Sequence, residues 1–223
     1  MSGDGDAARG STPAGSPAGT SVNIARVQRR RKIAVLAFSV VVLALVLVTH
    51  SAAGSNTAWH ETVDIAGAAL IVLCILGRTW TSIYIAGSKR RLVVDIGPYS
   101  LVRNPLYVFS AIGAAGVGLT TGSVAIGGLL GLATLLIFHI VILSEENFLG
   151  ERFPAEYADY TARVGRWIPK FSAWRDEKWV STRPANIVTT FRDTCLFLLA
   201  VPAFELVEHL QDSGILPVLF SLP

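Results

Sequence analysis

The chain has 223 residues, of which 52% are hydrophobic and only 16% are charged, and its mean hydropathy is +0.52. Because a soluble domain carries about 25% charged residues, this composition excludes a soluble globular enzyme and a disordered chain. The formal net charge of +3 and the pI of about 9.1 are also found in nucleic-acid-binding proteins. The positions of the charges indicate a membrane topology instead, so no nucleic-acid partner is expected.

Residues 1–25 are rich in Gly, Ala, Ser, Thr and Pro and lack apolar periodicity, which predicts a disordered N-terminal tail. A cluster of four arginines and one lysine between 26 and 32 precedes an apolar run at 33–48. The Ser-Ala-Ala sequence at 51–53 loosely resembles a signal-peptide cleavage site. A retained first transmembrane helix is favoured, because the leader before the run is long and further apolar stretches follow.

Four further apolar stretches lie at 63–86, 106–119, 124–143 and 194–210. The stretch at 124–143 is close to the ~20 residues that cross a bilayer. The last stretch is interrupted by Pro202, Glu205 and Glu208, so it either crosses the membrane or lies partly in the interface. The sequence therefore predicts an all-α integral membrane protein with about five transmembrane helices and cytoplasmic catalytic segments.

The distribution of basic residues predicts the orientation of these helices. All 19 Lys and Arg residues lie in the tail up to residue 32, between 78 and 103, or between 152 and 192. The loop at 49–62 and the turn at 119–123 contain none. The positive-inside rule therefore places the N-terminus and both later basic segments in the cytoplasm, where they can attract anionic lipid. The expected location is a bacterial-type inner or plasma membrane.

Glycines and tryptophans indicate how the helices pack and where they meet the interface. Small residues four apart let membrane helices approach closely, and two glycine pairs with this spacing are Gly118 with Gly122 and Gly127 with Gly131. After the fourth apolar stretch, basic residues separate three tryptophans, which is typical of an interfacial anchor: Trp167, Trp174 and Trp179.

The segment at 90–107 carries the first group of candidate functional residues. Asn104-Pro105 is a helix-start signal, because Asn can cap a helix and Pro fits its first position. The free N–H groups of a helix that begins there would face the cytoplasm, where they can hold a carboxylate. Arg103 adds a cation, and Tyr99 and Tyr107 add rings and hydroxyls. The alternative is a capped helix whose Arg and Tyr side chains extend to the interface.

The segment at 144–160 carries the second group. We expect Glu145 and Glu146 to follow directly after the fourth apolar helix, where the helix macrodipole disfavours acidic side chains. A compensating partner is therefore expected, and the candidates are Arg91, Arg103 and a bound cation. The alternative is a solvated helix end that pairs with Arg152.

His139 lies inside the fourth apolar stretch, about two turns before Glu145. A histidine in a membrane span is a candidate functional residue, and we expect either a hydrogen-bonded packing role or a substrate contact. The remaining histidines and both cysteines show no metal-ligand spacing, so no metal is expected: His50, His60, His209, Cys74 and Cys195.

In this order and between these apolar stretches, the two segments resemble the isoprenylcysteine carboxyl methyltransferase family. The wider superfamily includes phospholipid N-methyltransferases and other bacterial membrane methyltransferases. The resemblance covers about residues 65–170 and rests on Leu-Val-Val at 92–94, Gly-Pro-Tyr at 97–99, Arg-Asn-Pro-Leu-Tyr at 103–107, Glu-Glu at 145–146, Tyr157, Tyr160 and Arg-Trp-Ile-Pro at 166–169.

This resemblance implies S-adenosylmethionine as methyl donor, bound at the cytoplasmic side of the core helices. Carried over by position, the donor contacts are Arg91, Leu92, Val93, Val94, Tyr99, Asn104, Pro105, Leu106, Tyr107 and Glu145. Eukaryotic members usually have His at the position of Asn104. Asparagine can donate or accept a hydrogen bond but cannot carry a charge, so the resemblance implies only a positioning role for it. They also have a substrate-contacting Arg near the position of Val141, so recognition of a prenylcysteine carboxylate is not implied for this chain.

The implied catalytic residues are Arg103, Tyr107, Glu145 and Glu146. Glu145 would hold the ribose hydroxyls or the amino group of the donor, Arg103 its carboxylate, and Tyr107 would shape the sulfonium pocket. Glu146 would remove a proton if the acceptor were an amine. His139 is a further candidate for contact with the substrate.

The sequence thus divides into a tail at 1–25, a first transmembrane helix and external loop at 26–62, a methyltransferase core at 63–170, and an interfacial segment and C-terminal membrane helix at 171–223. The expected acceptor is lipophilic or small and is reached from the membrane lipid. Phospholipid N-methylation, thiol S-methylation and a non-catalytic membrane interaction protein stay open as alternatives. The oligomeric state is not predicted.

Overall fold

The structure, a computed structural model, describes residues 49–51, 58–85, 93–215 and 220–222. The predicted tail at 1–25 and the first apolar run at 33–48 lie outside the described residues, as do Arg91 and Leu92. The expectations for these segments therefore stay predictions.

The described chain is almost entirely helical, which confirms the predicted all-α class. The helices are α1 (Ala58–Ile85), α2 (Pro98–Leu101), α3 (Pro105–Leu119), α4 (Val124–Arg152), α5 (Pro154–Arg163), α6 (Pro184–Cys195) and α7 (Ala200–Asp212). Short 3-10 turns occur at Phe171–Ala173 and Leu196–Leu199. Two three-residue strands, β1 (Thr49–Ser51) and β2 (Phe220–Leu222), pair in parallel.

Three described segments are long and apolar enough to cross a membrane: α1, α4 and the segment Pro184–Gln211, which joins α6 to α7. With 15 residues, α3 extends about 22 Å at 1.5 Å per residue, which is less than the ~30 Å hydrocarbon core. The chain is therefore an integral membrane protein, in which α3 is shorter than its neighbours.

Three helix boundaries differ from the predicted ones. Helix α1 begins at Ala58 rather than at 63, and the C-terminal segment begins at Pro184 rather than at 194. Helix α4 continues past 143 to Arg152, so the prediction that Glu145 and Glu146 follow the helix is wrong. The fall in hydropathy at 144 marks a change of environment, and the helix itself ends before Pro154, which disfavours helical backbone in the preceding residue.

Helix α3 packs antiparallel against both α1 and α4, with glycines at the points of closest approach. A Cβ atom at Gly67 of α1 would lie 2.7 Å from the carbonyl oxygen of Gly116, and one at Gly118 would lie 2.6 Å from the Cα of Gly127. The predicted close approach of small residues is therefore confirmed for Gly118 and Gly127. Gly122 lies instead in the α3–α4 turn, with a φ of 71°.

We expect Gly118→Ala to lower the free energy of unfolding by about 1–3 kcal/mol, because its methyl group would overlap the backbone of α4. The matched control is Gly128→Ala, because a Cβ atom at Gly128 meets no atom within 4 Å. Alanine is the better helix former by ~1 kcal/mol, so this control should be neutral or stabilising. Thermal unfolding of the detergent-purified variants measures both, and equal effects would contradict the packing.

Candidate functional site

The site lies where the C-terminal end of α4 meets the N-terminal end of α3, under the segment that follows α5. The backbone N–H of Arg103 donates to the carbonyl oxygen of Gly165 at 2.8 Å, and that of Lys170 donates to Leu101 at 2.9 Å. The Tyr160 hydroxyl donates to the carbonyl oxygen of Tyr99 at 2.8 Å. These bonds hold the segment 164–170, here called the covering segment, against α2 and the start of α3.

Glu145 and Tyr107 meet across the interface between α4 and α3. The Tyr107 hydroxyl donates to Oε1 of Glu145 at 2.8 Å. The tyrosine is buried, and its ring lies 4.6 Å from that of Phe138, measured between centroids. Packing on Phe138 leaves the Tyr107 ring little freedom, so its hydroxyl is held towards Glu145.

Glu146, the next residue, is bound by two arginines. Arg166 makes three short contacts with its carboxylate, between 2.6 and 3.1 Å, and Nη1 of Arg103 lies 3.3 Å from Oε1. The Glu146 side chain is only 10% exposed. Hydrogen bonding to Glu146 raises the pKa of Arg166 above its ordinary value. The oxygens of the Glu146 carboxylate therefore already accept hydrogen bonds from its neighbours.

Asn104 occupies the N-cap position of α3, as predicted, but its side chain makes no capping hydrogen bond. The amide Nδ2 instead donates to Oε1 of Glu146 at 3.5 Å. The prediction of a side-chain cap is therefore wrong, because the side chain is drawn towards the charged carboxylate. Pro105 is in the first helical turn, as expected.

Tyr99 is buried, with 8% of its surface exposed, and its hydroxyl has no hydrogen-bond partner among the described residues. Burial raises the pKa of this hydroxyl, the nearby Tyr107 and Glu145 raise it further, and the positive charge of Arg78 lowers it. A buried hydroxyl without a partner costs about 1–3 kcal/mol. The site thus offers a polar atom that a bound polar ligand would satisfy.

The structure brings together most of the predicted site residues and separates others. Tyr99, Tyr107 and Glu145 lie close together and are here called the acid–tyrosine cluster, while Arg103, Asn104 and Glu146 form the adjoining ion-pair cluster. The neighbours Val93 and Val94 pack into different hydrophobic clusters, around Tyr157 and Tyr160 and around Tyr84 and Tyr99 respectively. Pro105 is buried and Leu106 is partly buried in the first turn of α3.

His139 lies on a groove between α3 and α4. Its Nδ1 accepts from the Trp167 indole N–H at 3.3 Å, so a neutral ring carries its proton on Nε2. The groove has a volume of about 630 Å³, and its other lining residues are apolar: Val108, Ala111, Ile112, Ala115, Gly131, Leu135 and Leu136. His139 thus has a hydrogen-bond partner within the protein and also borders the groove, so both roles expected for it stay predictions.

Two residues of the site were not identified from the sequence. Arg166 was noted only as part of a motif, and its pairing with Glu146 depends on the path of the covering segment. Arg78 was counted only as a topology signal, although an arginine within an apolar stretch is a signal of function. In the structure it donates to the hydroxyls of Ser110 and Thr194.

Comparisons with known proteins place the chain in a family. The phospholipid methyltransferase family model matches residues 63–156. The chain is 34% identical over 152 residues to the cobalt-zinc-cadmium resistance protein CzcN of Cupriavidus metallidurans, covering 68% of this chain and 70% of that protein. It is 31% identical over 197 residues to the nickel-cobalt-cadmium resistance protein NccN of Alcaligenes xylosoxydans xylosoxydans, covering 87% and 91%. No solved structure gives a significant match.

The chain therefore belongs to the phospholipid methyltransferase family, which is a family of methyltransferases. The resemblance found in the sequence is confirmed at this level. The two relatives are named for metal resistance and not for isoprenylcysteine methylation, so the narrower branch is not shown.

We expect Glu146→Gln to destabilise the protein by about 2 kcal/mol or more, because loss of one partner from a buried ion pair leaves the other uncompensated. Thermal unfolding in detergent measures the change. The matched control is Asp193→Asn, because the Arg192–Asp193 pair is exposed and such pairs contribute about 0–1 kcal/mol. A Glu146→Gln variant as stable as the control would show that the cluster does not hold the covering segment.

Proposed function

We propose that the protein transfers the methyl group of S-adenosylmethionine to a lipophilic or small acceptor at the cytoplasmic face of the membrane. Membership of a methyltransferase family supports the reaction class. The observation that carries the proposal is the buried Tyr99 hydroxyl, without a partner among the described residues, beside the hydrogen-bonded pair of Tyr107 and Glu145. These groups suit the polar parts of a nucleoside-containing donor.

The donor supplies a sulfonium-bound methyl group that an acceptor atom attacks in line with the departing thioether. The protein then contributes alignment of the two reactants and exclusion of water. Both effects lower the activation barrier of the methyl transfer. We assign Glu145 to the donor's ribose hydroxyls or ammonium group and Tyr107 to the wall of the sulfonium pocket. A thiolate or carboxylate acceptor needs no general base.

We assign Glu146 a positioning role. The carboxylate accepts from Arg103, Arg166 and Asn104, so removal of a proton from an amine would require it to leave these donors. Its pairs instead connect α4 to the start of α3 and to the covering segment. For an amine acceptor, the proposal therefore favours an amine that enters in its neutral form.

We further propose that the acceptor's apolar part occupies the groove between α3 and α4. The groove walls are apolar, and its lining residue Leu136 is 60% exposed on a spanning helix, where membrane lipid would contact it. His139 and Trp167 provide polar groups in the same groove. An acceptor with a hydrocarbon chain would reach the site laterally from the bilayer.

The proposed orientation places the site in the cytoplasm. The antiparallel packing of α1, α3 and α4 brings Arg78, Arg103, Arg152 and Arg166 to the same end of these helices. The positive-inside rule assigns such an end to the cytoplasmic side. The donor would then be taken from the cytosol.

We expect S-adenosylmethionine and S-adenosylhomocysteine to raise the thermal stability of the detergent-purified protein. A ligand at 100 times its Kd adds about 2.7 kcal/mol to the stability of the folded state. Glu145→Ala should abolish most of this shift, because it removes the acceptor of the Tyr107 hydrogen bond and the proposed donor contact. Glu151→Ala, an exposed position on the same helix, should retain the shift.

Absence of a shift with folded wild-type protein would contradict the proposed donor and favour a non-catalytic membrane interaction protein. A shift retained in Glu145→Ala would leave the donor in place and remove the role proposed for this glutamate.

We expect the acceptor to be found among single-chain amphiphiles. Dodecylamine, dodecanethiol and dodecanoic acid, tested in detergent with methyl-labelled S-adenosylmethionine, distinguish N-, S- and O-methylation.

Leu136→Trp should raise the KM for an accepted dodecyl compound at least several-fold, because the larger side chain fills the groove, and should leave donor binding unchanged. Leu132→Trp is the matched control, since this side chain is similarly exposed, at 57% against 60%, but does not line the groove. Equal KM values for both variants would exclude the groove as the acceptor site.

A further inference from the structure

Arg78 lies within the apolar helix α1, and its guanidinium reaches into the contact between three helices. It donates from Nη1 to the hydroxyl of Ser110 on α3 and, at 3.1 Å, from Nε to the hydroxyl of Thr194 on α6. Ser110 and Thr194 are both buried. A charged side chain inside a membrane span is costly, and those that occur face the bundle interior and often bind a ligand.

The position of Ser110 links Arg78 to the acid–tyrosine cluster. Residues three apart on a helix share one face, so Ser110 lies one turn along α3 from Tyr107, whose hydroxyl is bound to Glu145. Arg78 also lies near the buried Tyr99 hydroxyl. Its positive charge lowers the pKa of that hydroxyl, whereas Tyr107 and Glu145 raise it. Arg78, Tyr99, Tyr107 and Glu145 therefore lie close together.

The amino-acid end of S-adenosylmethionine carries a carboxylate and an ammonium group, and Arg78 and Glu145 are side chains of the types that bind these two groups. The guanidinium of Arg103, the residue expected to take the carboxylate, lies against Glu146. A guanidinium binds a carboxylate through two parallel hydrogen bonds, which are stronger than its bonds to neutral hydroxyls.

We propose that Arg78 binds the carboxylate of the methyl donor's amino-acid group, with Glu145 on its ammonium group. This proposal rests on the function proposed above and replaces Arg103 with Arg78 as the carboxylate ligand. The hydroxyls of Ser110 and Thr194 then orient the guanidinium. The alternative role for this contact is to clamp α6 to the core. The two roles differ in which ligands a substitution of Arg78 would affect.

The test compares two ligands on matched variants. S-adenosylhomocysteine carries both charged groups, whereas its decarboxylated form keeps the ammonium group and lacks the carboxylate. For Arg78→Gln we expect the Kd for S-adenosylhomocysteine to rise about 10- to 100-fold, as for the loss of one charge-assisted bond. The Kd for the decarboxylated ligand should change less than about threefold, because that ligand has no group for Arg78 to bind. Arg78→Lys should fall between, because it keeps the charge and loses the paired geometry.

Thr194→Val is the control for the clamping role, since it removes one contact of Arg78 and keeps the cation. Its Kd values for both ligands should stay close to those of the wild type. Equal losses of both ligands in Arg78→Gln, with Arg78→Lys behaving alike, would overturn the proposal and leave Arg78 a structural clamp. Failure of the folded wild type to bind S-adenosylhomocysteine at all would instead overturn the proposed function, and with it this assignment.

Discussion

The site depends on how closely α3 approaches the helices on either side. Gly67 against Gly116, and Gly118 against Gly127, leave no room for a side chain between the backbones. At this separation, Ser110 and Tyr107 of α3 reach groups on both neighbours, namely Arg78 on α1 and Glu145 on α4. Wider spacing would admit lipid or other side chains where the hydrogen bonds now form.

The two adjacent acids of α4 have different surroundings because successive residues on a helix point about 100° apart. Glu145 faces α3 and accepts from Tyr107, while Glu146 faces the covering segment and accepts from Arg166. One carboxylate thereby belongs to the acid–tyrosine cluster, and the other connects three parts of the chain. The two adjacent glutamates therefore have separate structural roles.

Local signals in the sequence predicted the helical elements well and the partners of the site residues less well. The start of α3 follows from Asn104-Pro105, because proline fixes the first turn. The end of α4 was missed because a drop in hydropathy marks the membrane surface and does not stop a helix. Pairings such as Glu146 with Arg166 depend on where a distant segment returns, and periodicity along one helix carries no information on that path.

Arg166 and Trp167 are neighbours in the covering segment, yet their side chains join different compartments. The first is bound to Glu146 in the ion-pair cluster, and the second to His139 in the groove between α3 and α4. A displacement of this segment that breaks one contact would strain the other. In the proposed reaction, release of the water-soluble product and release of the lipid-soluble one would then be coupled, because a single backbone movement breaks both contacts.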